Sequence, residues 1–536
     1  MHRSDRGPMI FSDDFPCKGH FSYRTLFEEG PERYGNWAIK TTHLPDGRLL
    51  MVWGSTSGKE LDPTNRLWIA FSIDDGITWS NPQLFADSTA ETRVLNPCCY
   101  THDNGRLFIF YNFWPQPDAR AQVRYQTSDD SGSTWGEPLA LSQDSCGLMS
   151  SPIRLESGAI LLPTYRQVDD QRSGRSYVAF AFLSADGGRT WKRGGDIALS
   201  ARDGVTEPSI AQTRQGALYC IMRTKMGCQY QCWSEDEGLT WTRPEPSPFA
   251  SPEACAILWR LANGNLVAAW DNTHVSGGSH NPRYPLFVAL SEDPGRTWPY
   301  QKMVQTTDGW KHLSNHGLYQ TASGAILLPV NHLQGIWNGA EHGPVELARF
   351  DEDWIRSDLS ADKWEQQPSP TGGIRLDNDG VLLVSGAWEG DQTLLCCKMR
   401  LPENCVVEYE VTDEQKHPDT QTGLFVGSPP YTGYCWLTLA RTGIDHQTPA
   451  VSSAYYQCWD PACPTTPIWR GHYYDATTVR LTFKDGQVQY EDSAGAKGDW
   501  LNISKDMGCP MTWGFFARNA GVQSRLRVRK VGVWAG

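Results

Sequence analysis

One eight-residue pattern occurs five times in this chain and restricts its fold more than any other feature. SIDDGITW starts at Ser72, SDDSGSTW at Ser128, SADGGRTW at Ser184, SEDEGLTW at Ser234 and SEDPGRTW at Ser291; the starts are 56, 56, 50 and 57 residues apart. Ser, Asp, Gly, Thr and Trp keep fixed offsets each time. Ser and Asp side chains hydrogen-bond backbone amides in a tight turn, Gly supplies a left-handed φ, and Trp packs the turn on a sheet. A fixed period of this size is the mark of a repeat architecture.

A second pattern interleaves with the first. LPDGRLLMVW, HDNGRLFIFY, LESGAILLPTY, TRQGALYCIMR, LANGNLVAAW and TASGAILLPV place glycines at 47, 105, 158, 216, 264 and 324. Each reads as a hairpin turn followed by an apolar strand. Six occurrences predict six sheets, and a unit of about 55 residues holds four strands, the size of one propeller blade. The sixth unit lacks the Trp-ended turn, so the segment FSYRTLFEE is expected to supply its outer strand and close the ring without an open edge. The composition agrees: 23 Trp, 20 Tyr and 18 Phe exclude disorder, while 50 Gly and 34 Pro fit a turn-rich all-β chain.

After Asp353 the repeat stops. Residues 1–358 are expected to form the propeller, and the polar, Pro/Gly-rich stretch 359–373 a linker. Short alternating strands over 374–536 predict a jelly-roll β-sandwich, with a marked hairpin around Asp485-Gly486. The strand pattern of this part resembles the concanavalin-like modules appended to carbohydrate-active enzymes, which implies a lectin-like accessory role.

The net charge of −13 argues against nucleic-acid or anionic-membrane partners, which require a basic surface. No apolar run is long enough to span a bilayer. The opening MHRSDRGPMIFSDDFPCKGH has no signal-peptide core, so the expected location is cytoplasmic, or secreted if a leader has been trimmed. The 15 cysteines are expected to be mostly buried thiols, and Cys228 and Cys232 have no second pair to make a zinc site. No phosphate loop, nucleophile elbow or His-Glu-x-x-His motif occurs, so no metal or cofactor is expected.

The five turns resemble the Asp boxes, or BNR repeats, of the sialidase superfamily, and the resemblance spans roughly residues 30–350. In that family the boxes are structural and face away from the active site, so they imply a fold and not a reaction. Three further stretches resemble the family's active-site segments. TEPSIAQTRQGALYCIMRTKMG implies Glu207 opening an innermost strand and Arg223 ending the next. NPRYPLFVALSEDPGRTW implies Arg283 as a second clamp arginine. The loop GSTSGKELDPTNRLWIAFS lies where the family carries its proton-donating Asp; Asp62 is the nearest match, with Glu60 as the alternative.

The departures matter equally. Where the family carries its first clamp arginine this chain has Trp37, with Lys40 nearby to supply positive charge. The family's nucleophilic Tyr falls near Asn315 or His316, and Tyr319 is two pleats farther along. Strand geometry adds Asn96, Ser150 and Glu253 on innermost strands, and Arg166, Asp271 with His274, and Asn331 with His332 at the ends of second strands. His316 and His332 share a blade and are expected to meet; Trp37 is either core or a sugar platform.

Together these readings predict an exo-acting glycoside hydrolase that removes a terminal, acidic sugar from a glycan. Its expected catalytic residues are Glu207, Asp62 and His316; its expected substrate contacts are Arg223, Arg283, Trp37, Lys40, Arg166, Asp271 and His332. The alternatives are a uronate lyase using Arg283 with a histidine, and a propeller that binds carbohydrate without turnover.

Overall fold

The computed structural model describes residues 17–535 except 116–119, 142–145, 169–175, 201–202, 274–281, 308–311, 335–341, 360, 362, 415–419, 428–434, 442–451, 457–465, 472–476, 494–496, 503–510 and 520. The chain divides into two units, one holding Phe21–Gln305 and Trp310–Arg356, the other holding Ser357–Gly536 together with two short segments before Phe21 and at 306–309.

The first unit is a propeller of six four-stranded antiparallel sheets. Blade 1 runs Gly35–His43, Leu49–Thr56, Arg66–Ser72 and Gln83–Asp87; blade 2 runs Arg93–Thr101, Leu107–Trp114, Gln122–Ser128 and Leu139–Ala140. Blade 3 has Ile153–Arg154, Ile160–Val168, Ser176–Ser184 and Lys192–Arg193. Blade 4 has Thr206–Gln212, Leu218–Arg223, Cys228–Ser234 and Glu245–Ala250. Blade 5 has Ile257–Arg260, Leu266–Asp271, Leu286–Ser291 and Tyr300–Gln305. Blade 6 has Tyr319–Gln320, Ile326–Asn331 and Val345–Phe350, and the segment Phe21–Phe27 completes it by pairing antiparallel to Val345–Phe350. The ring therefore closes with the N-terminal strand, as expected, and the outer edge of blade 6 is covered. Phe21 stacks on Trp354 of the short helix Glu352–Arg356 with ring centroids 4.4 Å apart.

The five boxed turns share the same Ser–Asp and Thr–Asp hydrogen bonds. In the first four the glycine amide also donates to the serine hydroxyl, whereas Gly295 of the fifth donates to the Asp293 carbonyl. In the third, Ser184 Oγ donates to Asp186 Oδ1 at 2.8 Å, the Gly188 and Thr190 amides donate to Ser184 and Asp186 at 2.9 Å, and Thr190 Oγ1 donates to Asp186 Oδ2 at 2.6 Å. The turn must also dock on the preceding blade. A methyl placed on Gly188 would lie 2.6 Å from Phe108 Cζ of blade 2; on Gly76 of the first box, 2.8 Å from Leu327 of blade 6; on Gly295 of the fifth, 2.8 Å from Tyr219 of blade 4. Glycine is needed there for contact as well as for φ. The box thus joins each blade to its neighbour, and Gly76 carries the joint across the closure of the ring.

The second unit contains two seven-stranded antiparallel sheets. Leu395, Leu424, Trp513 and Phe515 from one sheet share a buried cluster with Val381, Val407, Leu481 and Val533 from the other, so the two pack face to face as a β-sandwich. The Asp485-Gly486 hairpin forms with both residues at positive φ, 49° and 73°, the signature of a tight primed turn. The stretch 359–373 is not simply a linker. Trp364–Gln367 is an edge strand paired with Leu394–Cys397, because Trp364 is buried among otherwise polar neighbours. Among the described residues no helix is long and apolar enough to cross a membrane.

The docking of the boxes can be separated from their backbone conformation. Gly158 (φ 88°) has open space around it, whereas Gly188 (φ 84°) faces Phe108. Gly158→Ala is expected to cost about 1 kcal/mol for left-handed strain alone, and Gly188→Ala a further 1–3 kcal/mol for overpacking, roughly. Urea denaturation of the two variants measures the difference; equal losses would show that the box does not join blades.

Candidate functional site

The six hairpin glycines act as a ruler. Nine residues before them stand Ala38, Asn96, Met149, Glu207, Cys255 and Asn315; seven residues after them stand Gly54, Asn112, Tyr165, Arg223, Asp271 and Asn331. Four of the first ring are non-glycine residues in the left-handed region: Ala38 (φ 52°), Asn96 (49°), Glu207 (48°) and Asn315 (58°). At three of them the pairing register slips, between Trp37 and Lys40, Leu95 and Cys98, and Thr206 and Ser209. A bulge at the end of an innermost strand re-aims one side chain per blade. Such strain persists where the surrounding structure over-determines it, as at functional sites.

The two rings meet in blade 4. Arg223 Nη1 donates to Glu207 Oε2 at 2.9 Å, and its Nη2 lies 3.1 Å from Glu253 Oε1. Burial works against the guanidinium charge, but Glu207 and Glu253 more than offset it and hold Arg223 above its ordinary value. Arg283 donates to Ser314 Oγ at 3.1 Å and has no carboxylate within ion-pair distance among the described residues. Burial and then the charge of Arg223 pull Arg283 below its ordinary value, with Cys255, Glu207 and Asp271 opposing. Arg223, Arg283 and Glu207 therefore share one electrostatic site.

The loop after blade 1's second strand contributes Glu60. It is open to solvent, yet desolvation by the surrounding protein and then the charge of Glu207 raise its carboxyl above the usual range, against the pull of Arg283 and Arg223. Glu60 therefore belongs to the same electrostatic site as Glu207, Arg223 and Arg283. Asp62 is used differently: its Oδ1 accepts the Thr64 amide and hydroxyl, both at 2.9 Å, and its carboxylate packs on Gly58. That carboxylate holds its own loop.

Several expected contacts are corrected by burial. Trp37 is 2% exposed and its indole lies on Gly54, so it is core and not a sugar platform. Lys40 is 3% exposed and donates to the His316 carbonyl at 2.8 Å; burial lowers its ammonium below its ordinary value. It sits under the mouth and cannot clamp a substrate. His316 is fully buried, its Nδ1 meets the Leu313 carbonyl at 3.1 Å, and burial followed by the nearby Lys40 charge lowers it to about 3. It is a neutral floor residue with no access to a substrate. Tyr319 packs against Trp259, within a cluster that includes Leu327 and Leu347.

Two other corrections have one cause. Arg166 and His332 each stand one residue beyond the ring position, on the opposite side of the pleat. Arg166 reaches Asp196 of its own blade at 3.4 Å, and His332 Nδ1 lies 3.4 Å from Glu346, so His316 and His332 do not meet. The position that Arg166 was expected to fill belongs to Tyr165. Its ring and hydroxyl lie over Gly147. Burial, then Glu207, raise its phenol above the ordinary value, with Arg223 opposing and Glu60 adding to the rise. Cys255 was also missed: its thiol donates to Asn315 Oδ1 at 3.4 Å, and burial and Glu207 push it up to about 11. The glycine ruler finds both residues.

Asp271 is on its ring position and fully buried, with neither carboxylate oxygen hydrogen-bonded. Burial raises it well above its ordinary value, opposed by Arg283. Both side-chain polar atoms of Asn331 and the Ser150 hydroxyl are likewise buried without partners. His274 lies outside the described residues. Among the described residues no cluster of His, Cys, Asp or Glu is arranged to hold a metal ion.

Residues 47–312 match the family described as BNR repeat-like domain. The chain is 26% identical over 281 residues to a sialidase of Bacteroides fragilis, covering 48% of this chain and 49% of that protein. It is 29% identical over 187 residues to sialidase-4 of Homo sapiens, covering 29% of this chain and 38% of that protein. The chain thus spans about half or less of these relatives' length. A solved Dyadobacter fermentans protein of unknown function superposes with a TM-score of 0.52 at 17% identity, covering 61% of this chain and 99% of that one, a likeness of fold.

The state of Asp271 has a measurable consequence. A carboxyl raised in the folded state contributes stability that is fully present below its unfolded pKa and lost as pH rises through the folded one. Asp271→Asn does not titrate, so its stability relative to the parent is expected to improve by about 1 kcal/mol or more between about pH 5 and 8. Urea denaturation at the two pH values checks this; a pH-independent difference would mean that Asp271 is ionised in the fold.

Proposed function

Since the propeller belongs to the sialidase superfamily, we propose that its mouth is the active site of an exo-acting glycoside hydrolase that removes a terminal sugar from a glycan. The observation that carries this reading is the bond of Arg223 to Glu207 at 2.9 Å on neighbouring ring positions of blade 4, with Arg283 and Glu60 near enough to share their electrostatics. Glycosidic cleavage needs a protonated acid at the leaving oxygen and a second group that captures or stabilises the oxocarbenium centre.

Glu60 has the properties of the acid. It is accessible, and its environment favours the protonated form. Glu207 is the second carboxylate, held in place by Arg223. With no tyrosine at Asn315 or His316, the phenol available beside Glu207 is Tyr165, which takes the role of substrate-facing hydroxyl. Arg283, with no carboxylate partner among the described residues, is the group that receives a substrate carboxylate. A concave mouth admits chain ends, hence exo action. The eliminative alternative is weakened because neither histidine assigned as its base reaches the mouth: His316 is buried and His332 is paired with Glu346.

The assignment of the acid is tested with substrates of unequal leaving groups. Glu60→Gln is expected to lower kcat/KM about 10²–10⁴-fold on an alkyl glycoside and far less on a dinitrophenyl glycoside, which needs no protonation. It should also remove the basic limb of the pH profile. Asp62→Asn is expected to keep activity within a few-fold if folded. A larger leaving-group-dependent loss in Asp62→Asn than in Glu60→Gln would reverse the assignment. A broad glycan screen read by mass spectrometry tests the reaction itself: products carrying one added water support hydrolysis, and absence of turnover on every glycan supports a binding propeller.

A further inference from the structure

Arg223 is a guanidinium whose two terminal nitrogens each already meet a carboxylate from inside the protein. Glu207 takes Nη1 at 2.9 Å, and Glu253 Oε1 takes Nη2 at 3.1 Å. All three side chains keep some exposure, 20%, 7% and 16% respectively, so the cluster borders the mouth and is not sealed in the core. Lys225 lies 3.9 Å from the same Glu253 oxygen and is tied more closely to Asp203.

Glu253 is placed by a built support. It stands on the loop entering blade 5, and the fully buried Gln229 of blade 4 donates to Ser251 Oγ and to the Ala254 carbonyl, both at 2.8 Å, gripping the loop on either side of the glutamate. Its other oxygen, Oε2, is shielded from solvent and has no donor among the described residues. An unsatisfied buried acceptor favours a ligand that brings a donor.

Building on the hydrolase reading, we propose that Glu253 is a specificity-determining residue that occupies Arg223 from within, so that this side of the mouth accepts sugar hydroxyls and a substrate carboxylate is directed to Arg283 alone. A second anion at Arg223 would face Glu207 and Glu253 at once, and like charges placed together are unfavourable. Two arginines are present, but one serves as a carboxylate receptor.

Isothermal titration with methyl β-glucuronide, N-acetylneuraminate and the neutral methyl β-glucoside tests this without requiring turnover. Glu253→Gln keeps the shape and removes the charge; it is expected to raise affinity for the acidic sugars relative to the neutral one by roughly ten- to a hundredfold, the worth of a freed charge-assisted contact. Arg283→Gln, in the otherwise unchanged protein, is expected to abolish any preference for the acids. An unchanged acid-to-neutral ratio in Glu253→Gln would overturn the proposal, as would an acid preference that survives Arg283→Gln, and either variant alone suffices. If these shifts occur and no glycoside is cleaved, the proposal stands and the hydrolase reading falls. If glycosides are cleaved and the ratio does not move, the reverse holds.

Discussion

The fit of each boxed glycine against the preceding blade is the contact on which the rest of the propeller depends. A four-stranded sheet cannot bury both of its faces alone, and it gains stability by stacking on neighbours. The Ser–Asp–Thr hydrogen bonds shape the turn, and the missing side chain at Gly76, Gly188 or Gly295 lets that turn reach Leu327, Phe108 or Tyr219 of the blade before it. Repeated around the ring and closed by Phe21–Phe27, this joint sets six innermost strands at equivalent positions.

Equivalent strands then place equivalent residues at the mouth. The left-handed residues Ala38, Asn96, Glu207 and Asn315, the first three at register slips, recur at one distance from the hairpin glycine, although the four side chains share no chemistry. The scaffold dictates the conformation, and each blade supplies its own side chain. Most of the ring serves packing: Trp37 lies on Gly54, Asn112 bonds to the backbone of Leu148 in both directions, and Cys255 meets Asn315. The ionisable members are concentrated in blades 4 and 5, where Glu207, Arg223 and Asp271 stand, with Arg283 from blade 5 and Glu60 from the blade 1 loop sharing their electrostatics. An asymmetric site on a pseudo-symmetric ring is how a repeat fold acquires a function.

The blade count and the closing strand were legible from the sequence because they rest on repeats, and Glu207 and Arg223 were legible through the resemblance of their segment to the sialidase superfamily. What failed to be legible has physical reasons. Side chains on a strand alternate, so an error of one position exchanged Tyr165 for Arg166 and brought in His332 beyond Asn331. The depth of the pore is a tertiary property, and it turned Trp37, Lys40 and His316 from expected contacts into core. Asp62 and Glu60 lie two apart on one loop, and their roles separate only when Thr64 is seen to engage Asp62. The edge strand at Trp364 was hidden in a polar stretch that pairs with a distant partner.

The central claim, that the charged end of the pore binds the sugar at which bond cleavage occurs, is tested most directly by a crystal structure of the protein with its released monosaccharide. The account predicts the sugar at the mouth, its anomeric carbon about 3–3.5 Å from Glu207 or the Tyr165 hydroxyl, with Glu60 on the leaving-group side. A sugar seated on the Asp-box face or on the sandwich, with the mouth holding none, would contradict it.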